Sequence, residues 1–211
     1  MPRTEILPVD HPKALERACH ILQEGGLVAF PTDTLYGVGA LVTNPIAIEH
    51  LYRIKGREQT KAIAILISDF AQLPLIVETM PPCAARLAEL FWPGALTLVV
   101  PRKPSLPENL SPTMTIGVRM PNHAFAREML RRSGPMAVTS ANRSGAPDSL
   151  NASDVLSSIG QKISLIIDGG SIQPAIASTV VNCTLEPPVI LRQGAIPENE
   201  IQQALEVDRT S

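Results

Sequence analysis

The chain has 211 residues, 45% of them apolar but only 3% aromatic, so one sizeable domain with a core of Leu, Ile, Val and Ala is expected. A formal net charge of −2 argues against binding nucleic acid through the overall field, though it leaves local basic patches open. Cys19, Cys83 and Cys183 are too few and too far apart for a disulfide framework or a zinc site, and the four His show no ligand spacing.

No targeting leader opens the sequence, and no apolar run approaches the ~18 residues of a membrane span. The expectation is a cytoplasmic protein without a membrane partner. Thr4 to Leu7 suits a first strand. Pro12, followed by Leu15, Ala18, Cys19 and Leu22, predicts a helix that stops at Gly25-Gly26. Leu27 to Phe30, bounded by those glycines and Pro31, predicts a short buried strand. Thr32, Asp33, Thr34 and Tyr36 stand at its carboxyl end, the edge where open α/β sheets bind ligands. Gly37 and Gly39 would then let the backbone bend close to a ligand.

Asn44-Pro45 reads as a cap and first-turn proline, and Ala47, Ile48, Leu51 and Ile54 as the buried stripe of a helix ending at Lys55-Gly56-Arg57. Ala62 to Ile67 predicts a central strand, and Pro82 to Phe91 a helix with Cys83, Leu87 and Leu90 inward. Leu96 to Val100 returns as a strand. Residues 101–114 hold four Pro and few apolar side chains, which suggests a surface loop and a candidate lid. Thr115 to Arg119 is a strand, Asn122 caps a helix through Arg132, and Met136 to Thr139 is a strand before the polar loop from Ser140 to Gly145. Ser153 or Asp154 starts a short helix. Leu165 to Asp168, Thr179 to Cys183 and Val189 to Arg192 are the last strands, and Glu198 to Leu205 the last helix. Alternating strands and helices indicate an α/β fold with a mixed sheet. Residues 1–205 would form one domain, with a frayed tail over 206–211.

The polar residues at chain reversals are hydroxyls, amides and cations: Thr32, Thr34, Tyr36, Lys55, Arg57, Lys61, Arg119, Ser140, Asn142, Ser178, Thr179 and Arg192, with Asp33 the lone carboxylate among them. The set offers no His or Cys nucleophile and no carboxylate pair. It suits holding an anionic substrate and neutralising charge as it develops, which is most of what attack on phosphorus requires. Each member also has a plainer role. Lys55, Arg57 and Lys61 could complement a helix dipole, Ser140 and Asn142 could close turns, and Tyr36 could be core with a satisfied hydroxyl. No phosphate loop of the Gly-x-x-x-x-Gly-Lys type and no complete Gly-x-Gly-x-x-Gly occurs, so any nucleotide cradle is an unusual one.

In this order and at these separations, PTDTLYGVG, KGR, PGALTLVV, IGVRMPNH, SANRSGAP, STVVN and ILRQG resemble the motifs of the YrdC/TsaC family of threonylcarbamoyl-adenylate synthases. The resemblance runs from about residue 10 to 195. It implies a twisted α/β sheet around a cationic cavity, in a short, single-domain form. It also implies a nucleotidyltransferase that makes threonylcarbamoyl-AMP and pyrophosphate from L-threonine, bicarbonate and ATP. The product would pass to a complex that transfers the threonylcarbamoyl group to adenosine 37 of tRNA, with direct RNA contact weak if made at all. By the same resemblance, Lys55, Arg57, Ser140 and Asn142 form the catalytic set. Thr34, Arg119, Ser178 and the main chain near Val138 hold threonine, while Arg57, Lys61, Thr115, Ser140 and Arg192 contact ATP. Mg²⁺ is expected with ATP, without a dedicated acidic site.

The sequence departs from the family pattern at Ala95, where Pro is common, at Asn182, where Asp is usual, and at Asp148, where Ser is common. Leu66 stands where some longer members have a threonine-contacting His. Asp148 puts an acid near expected phosphates, so no role is assigned to it from the resemblance. Three other readings stay open. An RNA-binding module could use the same cavity, but the net charge and scarce aromatics weigh against it. A diverged paralogue without the reaction would not be expected to keep Lys55, Arg57, Ser140 and Asn142. Carbamoyl-transfer modules like those of hydrogenase-maturation proteins share the fold within much larger chains.

Overall fold

The computed structural model of the chain describes residues 4–58, 60–173 and 176–206. Ten strands among them form one mixed sheet. In chain order the elements are β1 (Glu5–Pro8), α1 (Ala14–Gln23), β2 (Val28–Pro31), β3 (Tyr36–Leu41), α2 (Pro45–Lys55), β4 (Ala64–Leu66), α3 (Leu73–Ile76) and α4 (Pro82–Phe91). They continue as β5 (Leu96–Pro101), β6 (Thr115–Arg119), α5 (Ala124–Ser133), β7 (Met136–Ser140), α6 (Ala152–Ile159), β8 (Leu165–Asp168), β9 (Thr179–Asn182), β10 (Val189–Arg192) and α7 (Glu198–Glu206). The strand order is β1-β8-β2-β3-β7-β4-β6-β5-β9-β10, with β1/β8, β2/β8, β4/β6 and β5/β9 parallel and the remaining pairs antiparallel. Of the tail expected from Glu206 onward, Glu206 closes α7 and 207–211 lie outside the described residues.

Strand alternation sends successive side chains to opposite faces. One face carries Ala29, Val38, Ile65, Leu98, Val118, Ala137 and Val181, which meet Ile48 and Leu51 of α2, Leu87 and Ala88 of α4, and Val155 of α6 in the main core. The other face is finished differently along its length. Toward β8, β2 and β7 it carries Val28, Phe30, Met136, Leu165 and Ile167, packed under Ala18 and Leu22 of α1 and Met129 and Leu130 of α5. Toward β6, β5 and β9 it carries small and polar side chains among a few aliphatic ones, Leu66, Val99 and Val180, and holds a cavity.

Several sequence expectations change. The stretch read as a ligand-hugging turn at Gly37 and Gly39 is a strand, β3, paired with β2 and β7. The glycines are there for close approach across the sheet, since a Cβ on either would fall 2.8 Å from a Val138 methyl carbon. Leu90 points outward at 57% exposure; Ala84, Leu87 and Ala88 form the buried stripe of α4. His123 rather than Asn122 caps α5, its Nδ1 accepting from Ala126 N at 3.4 Å, and Asn151 caps α6. The first helix starts at Ala14, and the strand expected over 62–67 is confined to β4.

Residues 101–114 are no lid. Arg102 is buried, donating to the carbonyls of Leu106 at 2.8 Å and Pro107 at 3.1 Å. Leu106 and Leu110 enter the main core, and Asn109 Nδ2 donates to Pro45 O. None of these residues lines the cavity.

Candidate active site

The cavity measures about 380 Å³ and opens on the sheet face itself rather than beyond the carboxyl ends of the strands. Its floor follows the two-residue period: Ala64 and Leu66 of β4, Thr97 and Val99 of β5, Gly117 and Arg119 of β6, Val138 and Ser140 of β7, and Val180 of β9. Loops supply the walls, with Thr32, Thr34, Leu35, Arg57, Asp148, Ala177, Ser178 and, from β10, Arg192.

The 32–35 loop is set by a hydroxyl. Thr32 Oγ1 accepts from the amides of Thr34 and Leu35, both at 3.2 Å, and donates to Leu35 O at 2.7 Å. That turn delivers Thr34 and Asp33 to Arg119, which is 7% exposed. The Arg119 guanidinium donates to Asp33 Oδ1 at 2.5 Å, Thr34 Oγ1 at 2.7 Å and Gly94 O at 2.9 Å. Three of its five donors are thereby used, and the fork is locked in place. Burial pushes the Arg119 pKa down and the Asp33 carboxylate opposes that. Tyr36 is fully buried, its hydroxyl donating to Gly170 O at 2.7 Å and accepting from Gly169 N, which is its plainer reading.

Across the cavity, α2 ends at Gly56 in the left-handed region, φ 59°, and Arg57 leaves the helix toward the cavity. Arg57 donates to Ala62 O at 2.9 Å. Lys55 instead turns inward and is 3% exposed. Its ammonium donates to Ser140 O at 2.5 Å, Asn142 O at 2.6 Å and Asn142 Oδ1 at 3.1 Å. With no carboxylate in hydrogen-bond contact, burial drives its pKa down to about 8; nearby Arg57 adds to that and Asp148 opposes it. Asn142 in turn donates to Ala146 O at 2.7 Å and Pro147 O at 3.0 Å, while Ser140 Oγ donates to its Oδ1 at 2.7 Å. Lys55 and Asn142 therefore fold the loop after β7 around a buried cation, leaving Ser140 at the edge of the cavity floor. At the mouth, Arg192 donates to Ser178 O at 2.8 Å and Ser178 Oγ at 3.1 Å, and that hydroxyl also pairs with Thr97 Oγ1 at 2.8 Å.

Of the residues singled out in the sequence, Thr34, Arg57, Arg119, Val138, Ser140, Ser178 and Arg192 converge on the cavity, with Lys55 and Asn142 directly behind Ser140. Lys61 and Thr115 stand outside the lining: Lys61 is exposed, and Thr115 is two residues beyond Gly117 on the same face of β6. Ala95 and Asn182 also lie off the cavity, whereas Leu66 and Asp148 line it. Thr97 went unnoticed in the sequence; a hydroxyl inside the buried run Leu96 to Val100 was its signal. Among the described residues, no group of three or more His, Cys, Asp or Glu side chains is placed to hold a metal ion. No helix is long and apolar enough to cross a membrane among those residues.

The family model Sua5/YciO/YrdC, described as telomere recombination, matches residues 20–194. The chain belongs to the Sua5/YciO/YrdC family. It is 38% identical over 208 residues to the threonylcarbamoyl-AMP synthase of Bacillus subtilis strain 168, covering 96% of this chain and 59% of that protein. It is 37% identical over 205 residues to a putative threonylcarbamoyl-AMP synthase of Mycobacterium tuberculosis strain H37Rv, covering 97% and 94%. The structure of Pyrococcus abyssi Sua5 complexed with L-threonine superposes with a TM-score of 0.91 at 36% identity, covering 97% of this chain and 61% of that one. The chain thus spans less than two thirds of the Bacillus and Pyrococcus proteins, and nearly all of the mycobacterial one.

Proposed function

We propose that the protein is a threonylcarbamoyl-AMP synthase, a nucleotidyltransferase joining L-threonine, bicarbonate and ATP with release of pyrophosphate, and that residues 1–205 work as one domain. What carries the reading is the cavity, where an immobilised guanidinium and a cluster of hydroxyls face two further arginines. The relatives' names and the threonine complex of the Pyrococcus protein support it.

Threonine sits at Arg119, Thr34, Ser178 and the Val138 main chain. The remaining N–H donors of Arg119 take its carboxylate, and the hydroxyls read its side chain. The neutral threonine amine attacks the carbon of bicarbonate, a C–O bond breaks and water leaves with the amine proton, giving a carbamate. Its oxygen then attacks the α-phosphorus of ATP, the bond from that phosphorus to the α,β-bridging oxygen breaks, and pyrophosphate leaves. Arg57, Ser140 and Arg192 receive the phosphates, with Lys61 and Thr115 reaching the nucleotide from the rim. Lys55 and Asn142 act through the loop they hold, fixing Ser140 before reaction, so that little reorganisation is needed as charge develops. The product passes in the cytoplasm to a complex modifying position 37 of tRNA. Incubation with ATP, threonine and ¹⁴C-bicarbonate should yield labelled threonylcarbamoyl-AMP and one pyrophosphate per product. Pyrophosphate release that does not require threonine and bicarbonate would overturn the reading.

A further inference from the structure

Thr97 stands on the cavity floor, 7% exposed, beside the equally buried Ser178. Its Oγ1 pairs with Ser178 Oγ at 2.8 Å and has no other hydrogen-bond partner among the described residues. Ser178 Oγ already accepts from Arg192 Nη2 at 3.1 Å. A hydroxyl carries one proton and two lone pairs, so the pair holds two protons and can place only one between its oxygens. An oxygen that accepts from a cation becomes the better donor, which runs the chain head to tail. Arg192 donates to Ser178, Ser178 donates to Thr97, and the Thr97 proton is left over.

Nothing beside Thr97 takes that proton. Val180 lies opposite it on β9 and has no acceptor in its side chain. On the other side Leu98 pairs with Val118, which sets Thr97 beside Arg119, a residue with donors only. The Thr97 methyl occupies the space left by Gly117, where a Cβ would fall 3.1 Å from it, and the hydroxyl is turned toward Ser178. The result is a donor more than nine-tenths buried and placed on the floor of the cavity.

We propose that Thr97 is a specificity-determining residue for the amino acid, its hydroxyl donating to the side-chain oxygen of the substrate. This rests on the reading that threonine lies between Arg119 and Ser178. With the carboxylate on the remaining donors of Arg119, the side chain points along the floor to the end of the Arg192–Ser178–Thr97 chain. A substrate hydroxyl satisfies the last proton there; a methyl in its place leaves the donor buried and unpaired, the kind of penalty that discriminates strongly.

The test compares the full chain with Thr97→Val and Thr97→Ser in adenylate formation from threonine and from serine. Valine is followed as a competitive inhibitor, since its turnover should be negligible. In Thr97→Val, KM for threonine and for serine should rise by about tenfold or more, the scale of one lost hydrogen bond, while KM for ATP stays within about twofold. Valine should inhibit that variant at least as tightly as wild type. Thr97→Ser restores the hydroxyl and should recover most of the preference for threonine over valine, which keeps the test decisive if the valine variant folds poorly. Equal weakening of threonine, serine and valine overturns the proposal, because Thr97 would then serve a group common to all three or merely prop Ser178. An unchanged KM for threonine in Thr97→Val overturns it as well, and so does a Thr97→Ser variant that discriminates no better than Thr97→Val. Wild type that forms no adenylate from threonine would remove the synthase reading, and this inference with it.

Discussion

One face of a single sheet is finished in two ways, and side-chain size and polarity decide which. Under α1 and α5 the strands present Val28, Phe30, Met136 and Leu165, large apolar groups that two amphipathic helices can bury. Toward β4, β6 and β5 the same face presents Ala64, Gly117, Thr97 and Arg119, with Ser140 at the far end of β7, and a cavity takes the place of the helices. Hydrogen-bonded pairing runs through both regions without a break. An apolar helix laid over Thr97 and Arg119 would strand donors already aimed at the cavity, at a cost of ~1–3 kcal/mol for each unsatisfied group. Topology provides the face; composition leaves part of it uncovered as a cavity.

The largest effect expected from that contrast is substrate discrimination by the polar region. A contact with one methyl separates substrates by only ~10–200-fold, whereas a site that hydrogen-bonds a hydroxyl rejects an analogue lacking it by ~10⁴-fold. Serine should therefore be a poor but measurable substrate and valine essentially none, in kcat/KM for adenylate formation at fixed ATP and bicarbonate. If valine performs as well as serine, Thr34 and Ser178 are not reading the hydroxyl.

Next comes stability, where the packed region should dominate. Phe30 is fully buried under α1 and α5, so Phe30→Ala should cost ~3–5 kcal/mol in chemical denaturation. Thr97→Val in the cavity region removes one partner of the Ser178 hydroxyl and should cost only ~0.5–1.5 kcal/mol. Comparable losses from the two substitutions would erase the distinction between the regions.

Legibility in the sequence follows the same division. Helix α2 could be read because Asn44, Pro45 and Gly56 mark its ends and its apolar stripe is regular. Strand β3 could not, because Gly37 and Gly39 are turn formers in local terms, and only the approach of Val138 across the sheet explains them. The stretch over 101–114 looked like a free loop because Leu106, Leu110 and Arg102 are spaced by long-range packing rather than by any local period. At the site, polar residues at chain reversals were visible, but the floor was not. Alternation places Thr97, Gly117 and Arg119 on one face, and nothing local says that face is open. The Lys55 side chain, at a helix end, could be read as a complement to the helix dipole; its capture by two carbonyls depends on a loop about 85 residues away.

Arg57 gives a third, smaller contrast, this time within the cavity wall. Arg57→Ala should cost ~2–4 kcal/mol in transition-state stabilisation, read from kcat/KM, the scale of one preorganised donor. Its hydrogen bond to Ala62 O should be worth only ~1 kcal/mol to the fold. Near-normal turnover in this variant would place the phosphates elsewhere.

The smallest effect sharpens the boundary between the regions, where Lys55 is buried without a carboxylate in hydrogen-bond contact. Its folded pKa of about 8 lies below the ordinary 10.5, so between those values the unfolded chain holds a proton that the folded chain has released. Unfolding free energy gains with pH wherever the unfolded state binds more protons, so this group alone raises stability from pH 8 toward 10.5, by up to about 1.4 kcal/mol per pH unit. Below pH 8 both states are charged and the contribution is flat. Tyr36, Tyr52, Cys19 and Cys183 pull the other way, since burial raises their pKa values and the unfolded chain ionises first. The wild-type curve alone therefore does not isolate Lys55; the difference from Lys55→Met does, because the acids cancel. Urea titrations at pH 6.0, 7.0, 8.5 and 9.5 should show wild type gaining on the variant by roughly 1.2 kcal/mol between the last two points, roughly 0.8 between pH 7.0 and 8.5, and almost nothing between the first two. A difference independent of pH would mean that the three carbonyl and amide oxygens hold the Lys55 charge as well as water does, and that the loop after β7 is not built around a strained cation.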